Sequence, residues 1–338
     1  MVLREYNMPL VQENRKKPTP ADDDVVMKVS YCGICGTDVK IVTGKLSSIV
    51  KIPYIPGHEI VGSVDTVGKS VNGIKEGDKG IAYFYINCGE CELCRSGREN
   101  ICDSIERLGF ERDGGFAEYV RMPSYSFCSY TERIAGERMA VLPDAVATSY
   151  HALRNKASLR IGQTALIVGV GGLGIHAGQI ARLMGAKVIA ADRKSGALEI
   201  AKTYGAHGVI NTGEDDAQKA VMDLTGGKGA DVVIENVGKD DTLNWSLPSL
   251  KRGGTLVIVG YDPINPVHVN PLGMHYNEWS IRGARVSTKQ ELVEVIELVE
   301  KGMIEPVVTK VIPLEAVNEG LQEIREGKHT GRIVLKID

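Results

Sequence analysis

An α/β architecture built on a doubly wound parallel sheet is what this sequence predicts, and three observations predict it. Short, unbroken apolar runs recur at residues 165–168, 188–191, 209–210, 232–234 and 255–260. Segments of helical period lie between them, at 175–184, 196–204, 217–225 and 241–250. Runs that are apolar throughout suit strands buried on both faces, and their alternation with helices is the pattern of a parallel sheet covered on both sides. The third observation is the glycine-rich stretch Gly169-Val-Gly171-Gly172-Leu173-Gly174, placed where the first strand ends and the first helix begins.

Each part of that turn has a physical task. Gly169 permits the tight turn. Gly171 lets backbone approach a pyrophosphate at the positive end of the helix, with Gly172 beside it, and Gly174 lets helix and strand pack closely. The second strand ends in Asp192, where a carboxylate can accept hydrogen bonds from an adenosine ribose. This predicts a dinucleotide site. Asp192 favours NAD, because it would repel the extra phosphate of NADP; Arg193 beside it is a residue type that can hold that phosphate.

The remaining elements flank this core. Residues 25–31 and 60–68 read as strands. The segments 290–301 and 316–326 read as amphipathic helices, and 331–337 as a closing strand. Residues 123–142 show no clear period. With 338 residues, two domains are expected. A composition of 43% apolar and 25% charged residues is that of an ordinary globular protein, and a net charge of −3 provides no basic footprint for nucleic acid. No apolar run is long enough to span a bilayer. The first residues, MVLREYNMPLVQENRKK, lack the apolar core of a secretion signal, so a cytoplasmic location is expected.

Four of the seven cysteines, Cys88, Cys91, Cys94 and Cys102, fall within 15 residues. Their C-x2-C-x2-C-x7-C spacing, with polar residues and glycines between, makes a closed tetrahedral thiolate site, with zinc the expected occupant. A site with four sulfurs and no open position is structural. Cys32 and Cys35 form a further C-x2-C pair without a second pair to complete it. Taken singly, Cys35 and His58 read as core residues more readily than as ligands, and Cys32 keeps that reading. Asp144 precedes the helical run AVATSYHALRN, where an N-cap is the simple reading, and His151 and Cys128 read as packing.

Taken together, CGICGTD, PGHE, the four-cysteine lobe and the GxGGxG turn arrive in one order, and on these motifs the chain resembles the zinc-containing, medium-chain alcohol dehydrogenases over nearly its whole length. The resemblance implies a mainly β, GroES-like catalytic domain over residues 1–145 and 286–338. A Rossmann NAD-binding domain is implied over 146–285. It also implies that Cys35 and His58 bind a catalytic zinc, that Asp38 orients the histidine, and that Glu59 neighbours the site. The family's third ligand opens a C-A-G-V-T-T-Y motif. The match here is Asp144-Ala-Val-Ala-Thr148-Ser-Tyr150, similar to a subgroup that uses Cys, His and Asp, so two zinc ions per chain are expected. By the same resemblance, zinc acts as a Lewis acid on a small-molecule alcohol and Thr37 receives its proton. Leu173 and Thr148 pack on the nicotinamide, Val237 contacts the cofactor and Arg332 lies near the pyrophosphate. One departure stands out: Lys40 occupies the place where the family relay often ends in a histidine.

The implied activity is hydride transfer between NAD and a primary or secondary alcohol or polyol, giving an aldehyde or ketone. A threonine-like hydroxy acid or a sugar is the alternative substrate. Tyr83, Phe84 and Tyr85 are expected to wall the pocket. Zinc-free enone or quinone reductases of the same fold lack the Cys35/His58 pair and the cysteine lobe. A non-enzymatic protein of this fold has no need of intact zinc ligands and Asp192. A homodimer or homotetramer is the expected assembly.

Overall fold

The structure, a computed structural model, describes every residue except Glu132. The chain divides into two compact units: Met1–Asp144 with Ser287–Gly302 and Pro306–Asp338, and Ala145–Val286 with Met303–Glu305.

The first unit is organised by a seven-stranded sheet. Its path runs Lys310–Pro313, Ile333–Lys336, Asp24–Ile34, Glu59–Val67, Lys79–Ala82 and Phe127–Ser129, and Tyr119–Pro123 adds to Asp24–Ile34. The pairings are antiparallel except between Lys310–Pro313 and Ile333–Lys336. The long strand Asp24–Ile34 is central because Val25, Val26, Met27, Val29, Cys32 and Ile34 are all completely buried. Its register with Glu59–Val67 sets Gly33 opposite Glu59. A side chain at Gly33 would collide with the Glu59 carboxylate, so glycine there makes room for a buried acid. The segment without a clear period contains the strand Phe127–Ser129 and the short helix Gly136–Met139. Cys128 is buried in that strand opposite Ile81, and burial pushes its thiol up to about 11.

The second unit holds six parallel strands in the order Gly208–Asn211, Lys187–Asp192, Thr164–Val168, Ala230–Glu235, Leu250–Ile258, Ser280–Gly283. The order reverses at Thr164–Val168, the earliest of these six strands in the sequence. The crevice above such a switch point is where ligands bind in doubly wound sheets. Leu166, Ile189, Val233 and Leu256 are fully buried, as strands covered on both faces require. The expected helix over 241–250 is observed as Asp240–Ser246, and the next strand already starts at Leu250. Leu247 still has helical backbone, with φ −63° and ψ −50°, but Pro248 has no amide hydrogen to donate to the preceding turn, so the hydrogen-bonded helix goes no further. The helix Pro271–Asn277 and the edge strand Ser280–Gly283 lie where no periodic signal was read.

Candidate active site and metal centres

The four-cysteine lobe is shaped almost entirely by local backbone. Cys91 caps the short helix Glu92–Arg95, and the amides of Cys91 and Cys94 each point at the sulfur three residues earlier, both at 3.4 Å. The Cys88 amide points at Cys102 Sγ, also at 3.4 Å. Amides aimed at sulfur favour thiolate, and the Cys94 amide leads in pulling the Cys91 thiol down to about 6. The sulfurs stand 3.5 Å (Cys88–Cys102), 3.9 Å (Cys88–Cys94) and 3.9 Å (Cys91–Cys102) apart. A tetrahedral zinc with bonds of ~2.3 Å needs edges of about 3.8 Å. The donor set therefore fits that metal.

A second donor set is assembled from three distant segments of the first unit. Cys35 caps the helix Gly36–Val42, with the Thr37 amide 3.5 Å from its sulfur. Asp38 closes the same turn by accepting from the Cys35 amide at 2.8 Å. The other Asp38 oxygen lies 3.3 Å from His58 Nδ1, which aims Nε2 the opposite way. Phe84 and Phe110 flank the imidazole, with ring centroids 5.0 and 5.2 Å away. Asp144 Oδ2 stands 3.3 Å from Cys35 Sγ and 3.8 Å from His58 Nε2. One ligand atom from each of the three residues falls within 4.8 Å of the others, and all three residues are buried. One sulfur, one imidazole nitrogen and one carboxylate oxygen make a donor set that suits zinc and leaves a coordination position open. Asp144 is not a helix cap: it lies in the π-helical turn Leu142–Val146, and the following helix Ala147–His151 has no side-chain cap.

Arg332 has a place that its position in the sequence did not announce. It is buried, and its Nη2 lies 2.6 Å from Glu59 Oε1 and 2.9 Å from Asp144 Oδ2. Burial works to raise the Asp144 carboxyl, but the His58 hydrogen bond and the charge of Arg332 outweigh it and hold that carboxyl well below the usual range. For Glu59 burial prevails, so its carboxyl is pushed up, with Arg332 opposing. Two further groups that could ligate zinc are placed elsewhere: Glu59 pairs with Arg332, and Cys128 lies in the apolar sheet opposite Ile81. Tyr83, Phe84 and Tyr85 are buried, and the Tyr83 hydroxyl donates to Ser287 O at 3.0 Å. Thr37 and Lys40 ride on one short helix, half-buried.

In the second unit the glycine turn has the form its spacing implies. Gly169 adopts φ +79°, a left-handed conformation that glycine takes without strain. A side chain at Gly171 would meet nothing within 4 Å, whereas one at Gly174 would run into the Gly169 carbonyl. The helix Gly174–Leu183 has no side-chain N-cap. Asp192 accepts from the Val170 amide at 2.7 Å and the Lys194 amide at 2.9 Å, which ties the second strand to the turn; Arg193 is exposed. Two carboxylate oxygens keep lone pairs for further donors. The Ser149 hydroxyl, next to the buried Thr148, lies 2.9 Å from Leu173 O.

Comparisons with known proteins agree with this architecture. Residues 172–301 match the family model described as zinc-binding dehydrogenase, and residues 21–132 the alcohol dehydrogenase GroES-like domain. An alcohol dehydrogenase of Geobacillus stearothermophilus is 34% identical, covering 100% of this chain and 99% of its own. An NAD-dependent alcohol dehydrogenase of Sulfurisphaera tokodaii is 35% identical over 99% of both. The crystal structure of the alcohol dehydrogenase from Aeropyrum pernix superposes with a TM-score of 0.93 at 34% identity, covering 99% of this chain and 98% of that one. Fold, donor sets and relatives define the class: the protein is an oxidoreductase. More particularly, the chain belongs to the zinc-binding, medium-chain alcohol dehydrogenase family.

Proposed function

We propose that this enzyme transfers hydride between NAD and a primary or secondary alcohol or polyol, with Cys35, His58 and Asp144 holding a catalytic zinc and the cysteine lobe a structural one. The observation that carries the reading is the convergence of those three buried donors from separate segments. Asp38 orients the His58 ring, and Arg332 holds the Asp144 carboxylate in place and balances the charge of Glu59. When bound, zinc supplies a Lewis acid for the alcohol oxygen and NAD supplies the hydride acceptor. Thr37 accepts the hydroxyl proton as it releases its own, which leaves either through Lys40 of the same helix in its neutral amine form or directly to water. Gly169, Gly171, Gly172 and Gly174 receive the pyrophosphate, and Asp192 receives the adenosine ribose, favouring NAD. Thr148, Leu173 and Val237 are assigned to the nicotinamide half.

A panel of alcohols assayed with NAD and NADP tests the proposal. Turnover of at least one alcohol with a preference for NAD is expected; no turnover with any member, or a preference for NADP, would reject it. A cytoplasmic homo-oligomer is the accompanying reading. Seven cysteines without a disulfide suit a reducing compartment, and the exposed Ile264, Leu272 and Tyr276 suit a self-association surface. Light scattering on the purified protein distinguishes monomer, dimer and tetramer.

A further inference from the structure

Glu235 ends the strand Ala230–Glu235 and pairs in register with Val168, the last residue before the glycine turn. It is completely buried. A carboxylate in an apolar sheet needs donors, and this one takes all its observed donors from the segment that follows it. The Val237 amide lies 3.2 Å from Oε1, the Thr242 hydroxyl 2.9 Å from Oε1, and the Gly238 amide 2.5 Å from Oε2. The Glu235 carbonyl accepts from the amides of Val259 and Gly260, at 2.9 and 3.0 Å, where the next strand ends. Its neighbour Asn236 reaches back, with Nδ2 3.1 Å from Val168 O and 3.3 Å from Gly169 O.

One short segment thus locks three strand ends together. The fit is close. Gly238 sits at φ +73°, where a side chain would strike the backbone of Gly260 and Tyr261. A side chain on Gly169 would come within 2.8 Å of Val237 Cγ2. The wall of the crevice facing away from Asp192 is therefore formed by residues whose backbone Glu235 pins. In a doubly wound sheet the dinucleotide straddles the switch point. With adenosine over the strand that ends in Asp192, the other nucleotide half falls on the Glu235 side.

We propose that Glu235 is a positioning residue for the cofactor: its carboxylate sets residues 236–238 against the glycine turn and so shapes the surface that receives the nicotinamide half. This rests on the dinucleotide reading of the turn. Only a carboxylate can accept at both oxygens. The amide of glutamine would present an N–H to at least one of the three donors.

Equilibrium binding of NADH and of ADP to the zinc-loaded full chain tests this. ADP occupies only the glycine turn and the Asp192 side. Glu235→Gln is expected to weaken NADH by about tenfold or more while ADP changes by less than about twofold. Unchanged NADH affinity would overturn the proposal, and so would NADH and ADP weakening in parallel, which is the mark of general loosening. If Glu235→Gln does not fold, Thr242→Val removes one of the three donors and reads the same ratio: selective loss of NADH supports the proposal, and no change overturns it. A wild type that binds neither NADH nor ADP would remove the dinucleotide reading itself, and this inference with it.

Discussion

The cysteine lobe draws its four sulfurs from 15 consecutive residues, whereas the other donor set gathers residues 35, 58 and 144 from three parts of the chain. The lobe is partly open to solvent, with Cys88 exposed, and is held by a few amides and one short helix. The second set is buried and crowded by charge: Asp38 behind His58, with Glu59 and Arg332 beside Asp144. Local backbone turns hold the sulfurs of the first. The second exists only once the sheet has formed, and each buried charge in it needs a partner from another segment. A site of the first kind serves stability. A site of the second kind can keep one position open and tune the groups around it.

The largest effect should come from Asp144→Ala. Turnover should vanish and zinc should fall from two per chain to one, with the remaining ion in the lobe. Losing one partner of a buried pair should also destabilise the fold by roughly 3–5 kcal/mol. Asp144→Cys should retain both ions. Elemental analysis of both variants decides, and an Asp144→Ala protein that kept two ions would break the contrast between the sites.

Arg332→Met should be next. It leaves Asp144 and Glu59 without their shared cation, so the buried site should lose zinc affinity by about 10–100-fold while the lobe is untouched. A chelator titration followed at both sites measures this. Equal losses at the two sites would mean that Arg332 acts on the whole fold.

Cys91→Ser should leave the folded enzyme with near-normal turnover and one ion fewer. Its cost falls on stability, on the order of 4 kcal/mol when free zinc stands at a thousand times its dissociation constant. Thermal melts with and without added zinc report it. If turnover collapsed in protein that remains folded, the lobe would have a part in catalysis.

The smallest effect belongs to Cys128→Ala. A buried thiol replaced by a methyl should change stability by about 1 kcal/mol and metal content not at all. Loss of an ion on this substitution would make Cys128 a ligand and displace Asp144.

Legibility followed the same division. Cys88, Cys91, Cys94 and Cys102 could be grouped from spacing alone, because their separations are short enough for local turns to set the geometry. Gly169 and Gly174 were readable for the same reason, each with a backbone requirement that the structure bears out, in φ for the first and in space for the second. Asp144 could not be told from a helix cap by local pattern. Only the resemblance to a family suggested it, and its nearness to Cys35 and His58 came from tertiary contacts. Arg332 beside Glu59 and Asp144 carried no local signal, since its partners lie 273 and 188 residues away. Glu235, just past the apolar run at 232–234, carried no local signal of the three donors it collects.

By itself, the sequence determined five of the six parallel strands of the second unit, the glycine turn at their switch point and the cysteine lobe. Each depends on interactions within a few residues, where period and spacing translate directly into backbone geometry. Tertiary structure decided which acid faces Cys35 and His58 and which cation balances Glu59. Both are settled by which buried charges find partners across the sheet, and no window of consecutive residues contains that information.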